Sequence, residues 1–409
     1  MKTLKLTKKY ETYPEYKDSG VEWLGKIPED WKVGKVKETF NLVKERSFNN
    51  SESEVLSLTL QGIKVRDVSN NEGQIASSYE GYRKIYKGDI VLNPMDLVRG
   101  FVDSSKLEGI ISPAYSTLRK KDIEINSDFY GYFFQKHYFE GIFYPFGNGV
   151  SVDHRWTLKD DTLINFPLIV IPKDQQQKIA TYLDEKTSLI DQTISKKQKL
   201  IELLREKRTA VINRSVMDFE GKKEKLKYLA PQRNKKLDIA PADERYIGLE
   251  HIESGTGKLL ESGETTQPES SVDVFKNGDV LFGKLRPYLA KVYSPEFDGV
   301  CSGEFLTLIP KQEKILSKFL FYKLISKDFI KVVDDSTYGT KMPRANWQFI
   351  GNQVIKYPSL QIQQDIIKKL DLQNELFSRV VQQVEKSIEL LQEFKSSLIS
   401  NVVTGKIRV

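Results

Sequence analysis

Cysteine is nearly absent from this chain. Cys301 is the one thiol in 409 residues, so an intrachain disulfide is excluded. Histidine is almost as scarce: with only His137, His154 and His251 beside that cysteine, a zinc site of the usual His/Cys type is not expected. No apolar run of about 18 residues occurs, and the N-terminus has no signal-peptide pattern. Membrane insertion and secretion are therefore not expected, and a cytoplasmic protein is. The catalytic repertoire is equally thin. Gly255-Thr256-Gly257-Lys258 lacks the spacing of a phosphate loop, and no glycine-rich strand-turn-helix fingerprint for a nucleotide or methyl donor appears. Asn93-Pro94-Met95-Asp96 has neither the second proline nor the aromatic with which adenine methyltransferases grip a flipped base, and reads as a loop. No Asp/Glu/Lys cluster stands out as a nuclease site, and no nucleophile-histidine pair is marked. These absences point to a non-catalytic recognition subunit that relies on partners for chemistry.

What the chain does contain is a repeat. Gln176-Gln177-Lys178-Ile179 with Leu183 returns as Gln363-Gln364-Asp365-Ile366 with Leu370, and Ile201-Glu202-Leu203-Leu204 returns as Ile388-Glu389-Leu390-Leu391, each 187 positions on. Both copies carry heptad spacing. Leu183, Ile190, Leu204 and Val211 lie at multiples of seven, with Ile194 and Ile201 on the intermediate seam; Leu370, Phe377, Val384, Leu391 and Leu398 do the same, with Val381 and Ile388 between. Such a seam keeps one narrow face of a helix turned toward a partner helix. Each run of roughly 43 residues makes a rod on the order of 65 Å long. Lys197, Thr187, Asn374, Arg208 and Lys395 are polar breaks in the seam, the kind that set register at a cost in stability. Asp174 with Gln177 three residues on suggests a capping box at the first rod.

The segments before the rods repeat as well, at a shift near 190. Lys35-Val36-Lys37 begins a strand-like run and matches Lys225-Leu226-Lys227; Gly88-Asp89-Ile90 matches Gly278-Asp279-Val280. Ser112, Tyr115 and Leu118 match Ser302, Phe305 and Leu308, while Phe129 and Tyr132 match Phe319 and Tyr322. Val55-Leu58 and the residues after Gly88 read as strands. Asp128 to Phe143 reads as a helix whose stripe of Phe129, Tyr132, Phe133 and Phe139 is core rather than a base-stacking platform. The loops diverge: Asn93 to Arg99 stands against Phe282 to Tyr288. A shared framework with different loops presents two different binding surfaces. The expected fold class is mixed α/β, two similar globules in tandem, each followed by a long helix. Expected boundaries are 1–172 and 218–358 for the globules, 173–217 and 359–409 for the helices. The helices could pair in either sense; an antiparallel coiled coil would place the globules at opposite ends about a pseudo-two-fold axis.

Two readers on a rigid rod suit duplex DNA, whose successive major-groove faces lie about 34 Å apart. The net charge of +7 and the run Lys196, Lys197, Lys199, Arg205, Lys207, Arg208 and Arg214, with Lys222, Lys223, Lys225 and Lys227 after it, fit either a phosphate-facing surface or a solvated helix face. The competing reading is a coiled-coil scaffold whose heads bind protein partners. The N-terminal arm, with Trp23 and Trp31 around Pro28, reads as an anchor.

The opening Asp18-Ser19-Gly20-Val21-Glu22-Trp23-Leu24-Gly25 with Ile27-Pro28-Glu29-Asp30-Trp31 resembles the N-terminal signature of the specificity subunits of type I restriction-modification systems. So do Tyr246 to Ile252, Gly278 to Tyr288, and the approach to each rod, Pro172 with Gln176-Gln177 and Pro358 with Gln363-Gln364. The resemblance spans essentially the whole chain. It implies two target recognition domains, each reading half of a split DNA site, joined by an antiparallel coiled coil. It further implies two modification (methyltransferase) subunits and ATP-dependent restriction subunits as partners, with S-adenosylmethionine, ATP and magnesium held by those partners and none by this chain. Arginine reads guanine best and polar loop residues adjust to base edges. The expected DNA contacts are therefore Arg99, Asn148, His154 and Arg155 in the first globule, and Lys284, Arg286, Tyr288, Lys341 and Arg344 in the second.

Overall fold

The computed structural model describes residues 10–47, 54–67, 78–98, 100–149, 156–239, 244–260, 271–337, 339 and 341–409. Two compact units divide the chain. One comprises residues up to 195 together with 387–409, and the other comprises 196–386. Each long helix is thus shared between units. The first runs Lys173–Ser215 and the second Leu360–Val403.

Within the first unit a four-stranded antiparallel sheet has the order Phe40–Leu42, Ser116–Lys120, Ile90–Leu92, Val102–Ser104. The aromatic helix Ser127–Phe139 packs against it through Phe129, Phe133 and Phe134, all fully buried. Asn126 caps this helix by accepting from the Asp128 and Phe129 amides, both at 3.0 Å. The helix is shorter than its pattern suggests: Gly141, at φ +65°, turns the chain, and Phe139 is exposed rather than part of the core. The strand expected to start at Lys35 instead ends there. Lys32–Lys35 pairs with Pro167–Val170, and Val36–Thr39 is a single helical turn. The second unit repeats this join, with Lys222–Lys225 on Val354–Tyr357 and the turn Leu226–Leu229. Its sheet joins Val292–Tyr293, Val280–Gly283 and Phe305–Leu308, against the helix Ser317–Ile325.

In each unit the start of one long helix and the end of the other complete the core. Ile179, Ala180 and Leu183 join Leu398, Ile399, Val402 and Val403 in the first. Val211, Ile212 and Val216 join Ile366, Ile367 and Leu370 in the second. The helices run antiparallel within each unit. Lys395 Nζ meets Asp191 at 2.7 Å in the first; in the second, Arg205 pairs with Glu385 at 3.6 Å and Arg208 Nε donates to Asn374 Oδ1 at 2.8 Å. Leu183, Ile190, Ile201, Leu370 and Leu398 are buried, and Ile194, Leu204, Val211, Phe377, Val381, Val384, Ile388 and Leu391 are half-buried. Apolar residues off that seam, among them Leu189, Leu203, Leu372, Leu376 and Val380, are exposed.

The capping box proposed for Asp174 and Gln177 does not form. The helix begins at Lys173, one residue before Asp174, whose carboxylate pairs with Lys178. The entry is held by Gln176 instead. Its Nε2 donates to the Ile171 carbonyl (3.0 Å) while its Oε1 accepts from the Asn126 amide (2.9 Å). Gln363 repeats this with the Pro358 and Lys314 carbonyls and the Leu316 amide. Both glutamines are buried, where an amide is tolerated only when its donors and acceptors are met. The polar breaks Thr187 and Asn374 also have partners on the globules. Tyr132 bonds Asp184 (2.8 Å) and Thr187 (3.0 Å); Tyr322 bonds Asp371 and accepts from Asn374.

The arm anchors as expected of its tryptophans. Trp31 is fully buried with its Nε1 donating to Gln175 Oε1 at 2.7 Å, and Trp23 stacks on Phe166 with centroids 5.6 Å apart. The Arg408 amide donates to the Glu11 carbonyl at 2.8 Å, so the arm meets the tail of the second helix.

Candidate nucleic-acid interface

In the second unit, strand Val280–Gly283 runs directly into the segment that carries three of the expected contacts. Gly283 leaves room for this passage, since a Cβ there would lie 2.9 Å from Leu249 Cδ2. The chain then makes a tight turn. Pro287 sets the turn's entry, the Leu289 amide donates to the Arg286 carbonyl at 3.0 Å, and the Ala290 amide to the Pro287 carbonyl at 2.8 Å. Arg286 and Ala290 both lie in the left-handed region, at φ 49° and 47°, a conformation that non-glycine residues hold only under local compulsion. Between them Tyr288 is half exposed, at 52%.

The loop carrying Lys341 and Arg344 is brought alongside. The Arg286 amide donates to the Pro343 carbonyl (2.8 Å), and the Ala345 amide to the Lys284 carbonyl (3.0 Å). Lys284, Arg286, Tyr288, Lys341 and Arg344 therefore share one surface built from two adjoining loops. Its charge is not wholly basic. Arg344 Nη2 pairs with Glu304 Oε1 at 2.6 Å, and the second Glu304 oxygen is buried without a hydrogen-bond partner. Burial raises the Asp273 carboxyl above its ordinary range, against the lesser opposing pull of Lys236 and Lys284. Beneath the surface, burial pushes the Cys301 thiol up to about 12, so it is inert rather than nucleophilic.

The first unit has the same junction. The Leu158 amide donates to the Pro94 carbonyl at 2.9 Å, the counterpart of the Ala345–Lys284 bond. Asn148 is exposed and forms a bridge with Thr157, its amide donating at 2.9 Å and its carbonyl accepting at 3.0 Å. Gly147 is needed here because a Cβ would fall 2.2 Å from the Trp156 ring. Arg99, His154 and Arg155 lie outside the described residues. Asn93-Pro94-Met95-Asp96 is a loop, as read, with Asn93 and Asp96 side chains accepting from the Met95 and Val98 amides at 3.0 and 3.1 Å.

Sequence reasoning missed Glu304, which nothing in its own stretch marks as a partner for Arg344. It also missed the frame carboxylates. Asp89 Oδ2 accepts from the Tyr86 amide (2.9 Å) and Asp279 Oδ2 from the Lys276 amide (2.8 Å); the repeated Gly-Asp was visible, its use as a turn lock was not. Among the described residues no group of three or more His, Cys, Asp or Glu could hold a metal, and no helix is long and apolar enough to cross a membrane.

Residues 219–389 match the family described as the type I restriction modification DNA specificity domain. The chain is similar to the EcoDI type I restriction enzyme specificity subunit of Escherichia coli, 26% identical over a stretch covering 40% of this chain and 36% of that one. That match therefore spans little more than a third of the relative's length. The MjaVIII specificity subunit of Methanocaldococcus jannaschii is 24% identical over 94% of both chains. In structure, a chain solved for the assembly and conformational transition of the type I R-M system superposes with a TM-score of 0.64 at 12% identity, over 92% of this chain and 98% of that one. At that identity the likeness concerns the fold.

Proposed function

We propose that this chain, which belongs to the type I restriction-modification specificity family, is the non-catalytic subunit that reads a bipartite, asymmetric DNA site and directs adenine methylation and restriction by partner subunits. The observation that carries this reading is the pair of matched loop junctions, Leu158 to Pro94 and Ala345 to Lys284. One frame holds two loops together at the same place in each globule, and the side chains on those loops differ. Base readout is a property of side chains held at a fixed position, whereas phosphate contacts only set that position. A common frame with unlike loops suits a site whose halves differ in sequence.

In the second globule Arg286, Lys284 and Lys341 supply donors for guanine edges or phosphates, Tyr288 an amphipathic ring, and Arg344 a guanidinium already oriented by Glu304. In the first, Asn148 with Arg99, His154 and Arg155 would do the corresponding work. The paired helices would set the spacer between half-sites. The exposed stripe Leu372, Leu376 and Val380 is apolar surface that helix pairing leaves over, suited to docking the modification subunits. S-adenosylmethionine, ATP and magnesium would be bound by the modification and restriction subunits, in a cytoplasmic complex.

Mapping modified adenines by single-molecule sequencing in cells carrying the complex tests the proposal. A split site is expected. Replacing residues 38–170 with those of a relative should change one half-site only, and inserting a heptad into each helix should lengthen the spacer. A change in both halves, or an unaltered spacer, would overturn the reading.

A further inference from the structure

The stretch Gly255-Thr256-Gly257-Lys258, which is no phosphate loop, forms the tip of a small hairpin. Ile252 bridges Leu259, and the Leu260 amide donates to the His251 carbonyl at 2.8 Å. Gly255 and Gly257 both have positive φ, +70° and +67°, and a Cβ on Gly257 would lie 2.4 Å from the Phe321 ring and from the Val292 carbonyl. The tip is thus pressed against the globule's frame, and three further bonds fix it. Arg208, on the first long helix, donates from Nη1 to the Gly255 carbonyl at 3.0 Å and from Nη2 to the Thr256 carbonyl at 3.4 Å. On its other side, the Gly255 amide donates to the Ala290 carbonyl at 3.2 Å. Ala290 is the left-handed residue that closes the exposed turn bearing Arg286 and Tyr288.

The same guanidinium reaches the second helix, through the bond from Nε to Asn374, whose amide donates to Tyr322 at 2.9 Å. One side chain therefore joins two helices, the hairpin tip and, through one residue, the strained turn. A planar fork with donors in several directions can do this; an ammonium cannot. Among the described residues, the other copy shows no such device. Lys395, 187 positions on, bonds only Asp191 on the facing helix among the contacts described.

We infer that Arg208 is a positioning residue: it locks the hairpin tip 253–257 against Ala290 and so fixes where Arg286 and Tyr288 meet the bases of the half-site read by the second globule. The inference rests on the DNA-reading function proposed above. A strained turn persists only where its surroundings over-determine it, so loosening one support should blur recognition without touching a contacting side chain.

The test uses the full chain assembled with its modification subunits and reads adenine methylation on duplexes carrying single-base changes in either half-site. Arg208→Lys is expected to lower discrimination in the second globule's half-site on the order of tenfold, the scale of losing one charge-assisted hydrogen bond. Discrimination in the other half-site should stay as in wild type even though the unfolding midpoint falls with the lost hydrogen bonds, and Lys395→Ala should leave both half-sites unchanged. Wild-type discrimination in Arg208→Lys, or equal losses in both halves, would overturn the inference. If Arg208→Lys does not fold, Arg208→Gln, which keeps a neutral donor but loses the fork to the Gly255 and Thr256 carbonyls, is read by the same criteria. A wild-type complex that recognises no split site would sink the functional proposal itself, and that result is seen before any variant is made.

Discussion

Asp89 and Asp279 occupy the same turn in the two globules, yet the arginine that neutralises each comes from a different place. In the first globule Arg119, on the central strand Ser116–Lys120, donates Nε and Nη2 to Asp89 at 2.9 and 2.8 Å and also meets Glu45 at 3.3 Å. In the second, Arg233 approaches from the segment after the short turn Leu226–Leu229 and donates to Asp279 at 2.8 and 2.9 Å. The carboxylate stays because it locks a turn next to a central strand. Its partner can move because a guanidinium on a long stem reaches the same point from several backbone positions. By contrast, the short-armed contacts that dock the long helices, Gln176 with Gln363 and Tyr132 with Tyr322, sit at matching positions in both copies.

The largest effect expected from this comparison is the loss of the buried carboxylate. Asp279→Ala should destabilise the second globule by about 3 kcal/mol, since it strands Arg233 and frees the Lys276 amide. Asp89→Ala should cost the first globule less, because Arg119 keeps Glu45. Unfolding midpoints of the two variants check this; a greater loss from Asp89→Ala would break the argument.

Acid should separate the globules further. His137 is fully buried among Trp23, Phe133, Phe143 and Phe166, with Nδ1 2.7 Å from the Phe133 carbonyl, and burial holds its pKa down to about 3. The matching position in the second globule, at the shift of 190 that aligns Tyr132 with Tyr322, is the exposed Lys327, so no buried imidazole stands there. Because the folded-state pKa lies below the unfolded value near 6.5, the unfolded chain binds the extra proton. The histidine's contribution is thus complete above about pH 6.5 and declines as pH falls toward 3, by about 2 kcal/mol between pH 7 and pH 5. Hydrogen exchange at pH 5 should show the first globule opening first, and His137→Leu should abolish the difference. Opening of the second globule first would contradict it.

The smallest effect belongs to the helix pair. Lys395 and Asp191 are partly exposed, at 28% and 56%, so Lys395→Ala should shift stability by less than about 1 kcal/mol. Arg208, with its fork engaged on three acceptors, should cost more when truncated to Ala. Equal costs in a denaturation series would mean that the two polar breaks are alike after all.

Much of this was legible beforehand because repeats and heptads are statements about spacing. Two like globules and two long helices follow from matched residues 187 and about 190 apart, and the seam from Leu183 and Leu370 onward follows from period alone. The aromatic helix was readable, though its end at Gly141 was not, since the apolar pattern continues past the turn. Capping was misread at Asp174 because a local motif could not compete with Gln176, whose partners Ile171 and Asn126 include one that is 50 residues distant. Likewise, Arg208 looked like a mere interruption of the seam.

The sequence by itself determined the number of globules, the helical period and the positions where loops depart from the shared frame. These are properties of order along the chain. Only the tertiary structure decided which acceptors a buried guanidinium or amide would find, that Lys284 and Arg344 would share a surface, and that each core would be closed by both helices. Those outcomes depend on which polar groups must be satisfied where the chain folds back on itself, and no local pattern carries that information.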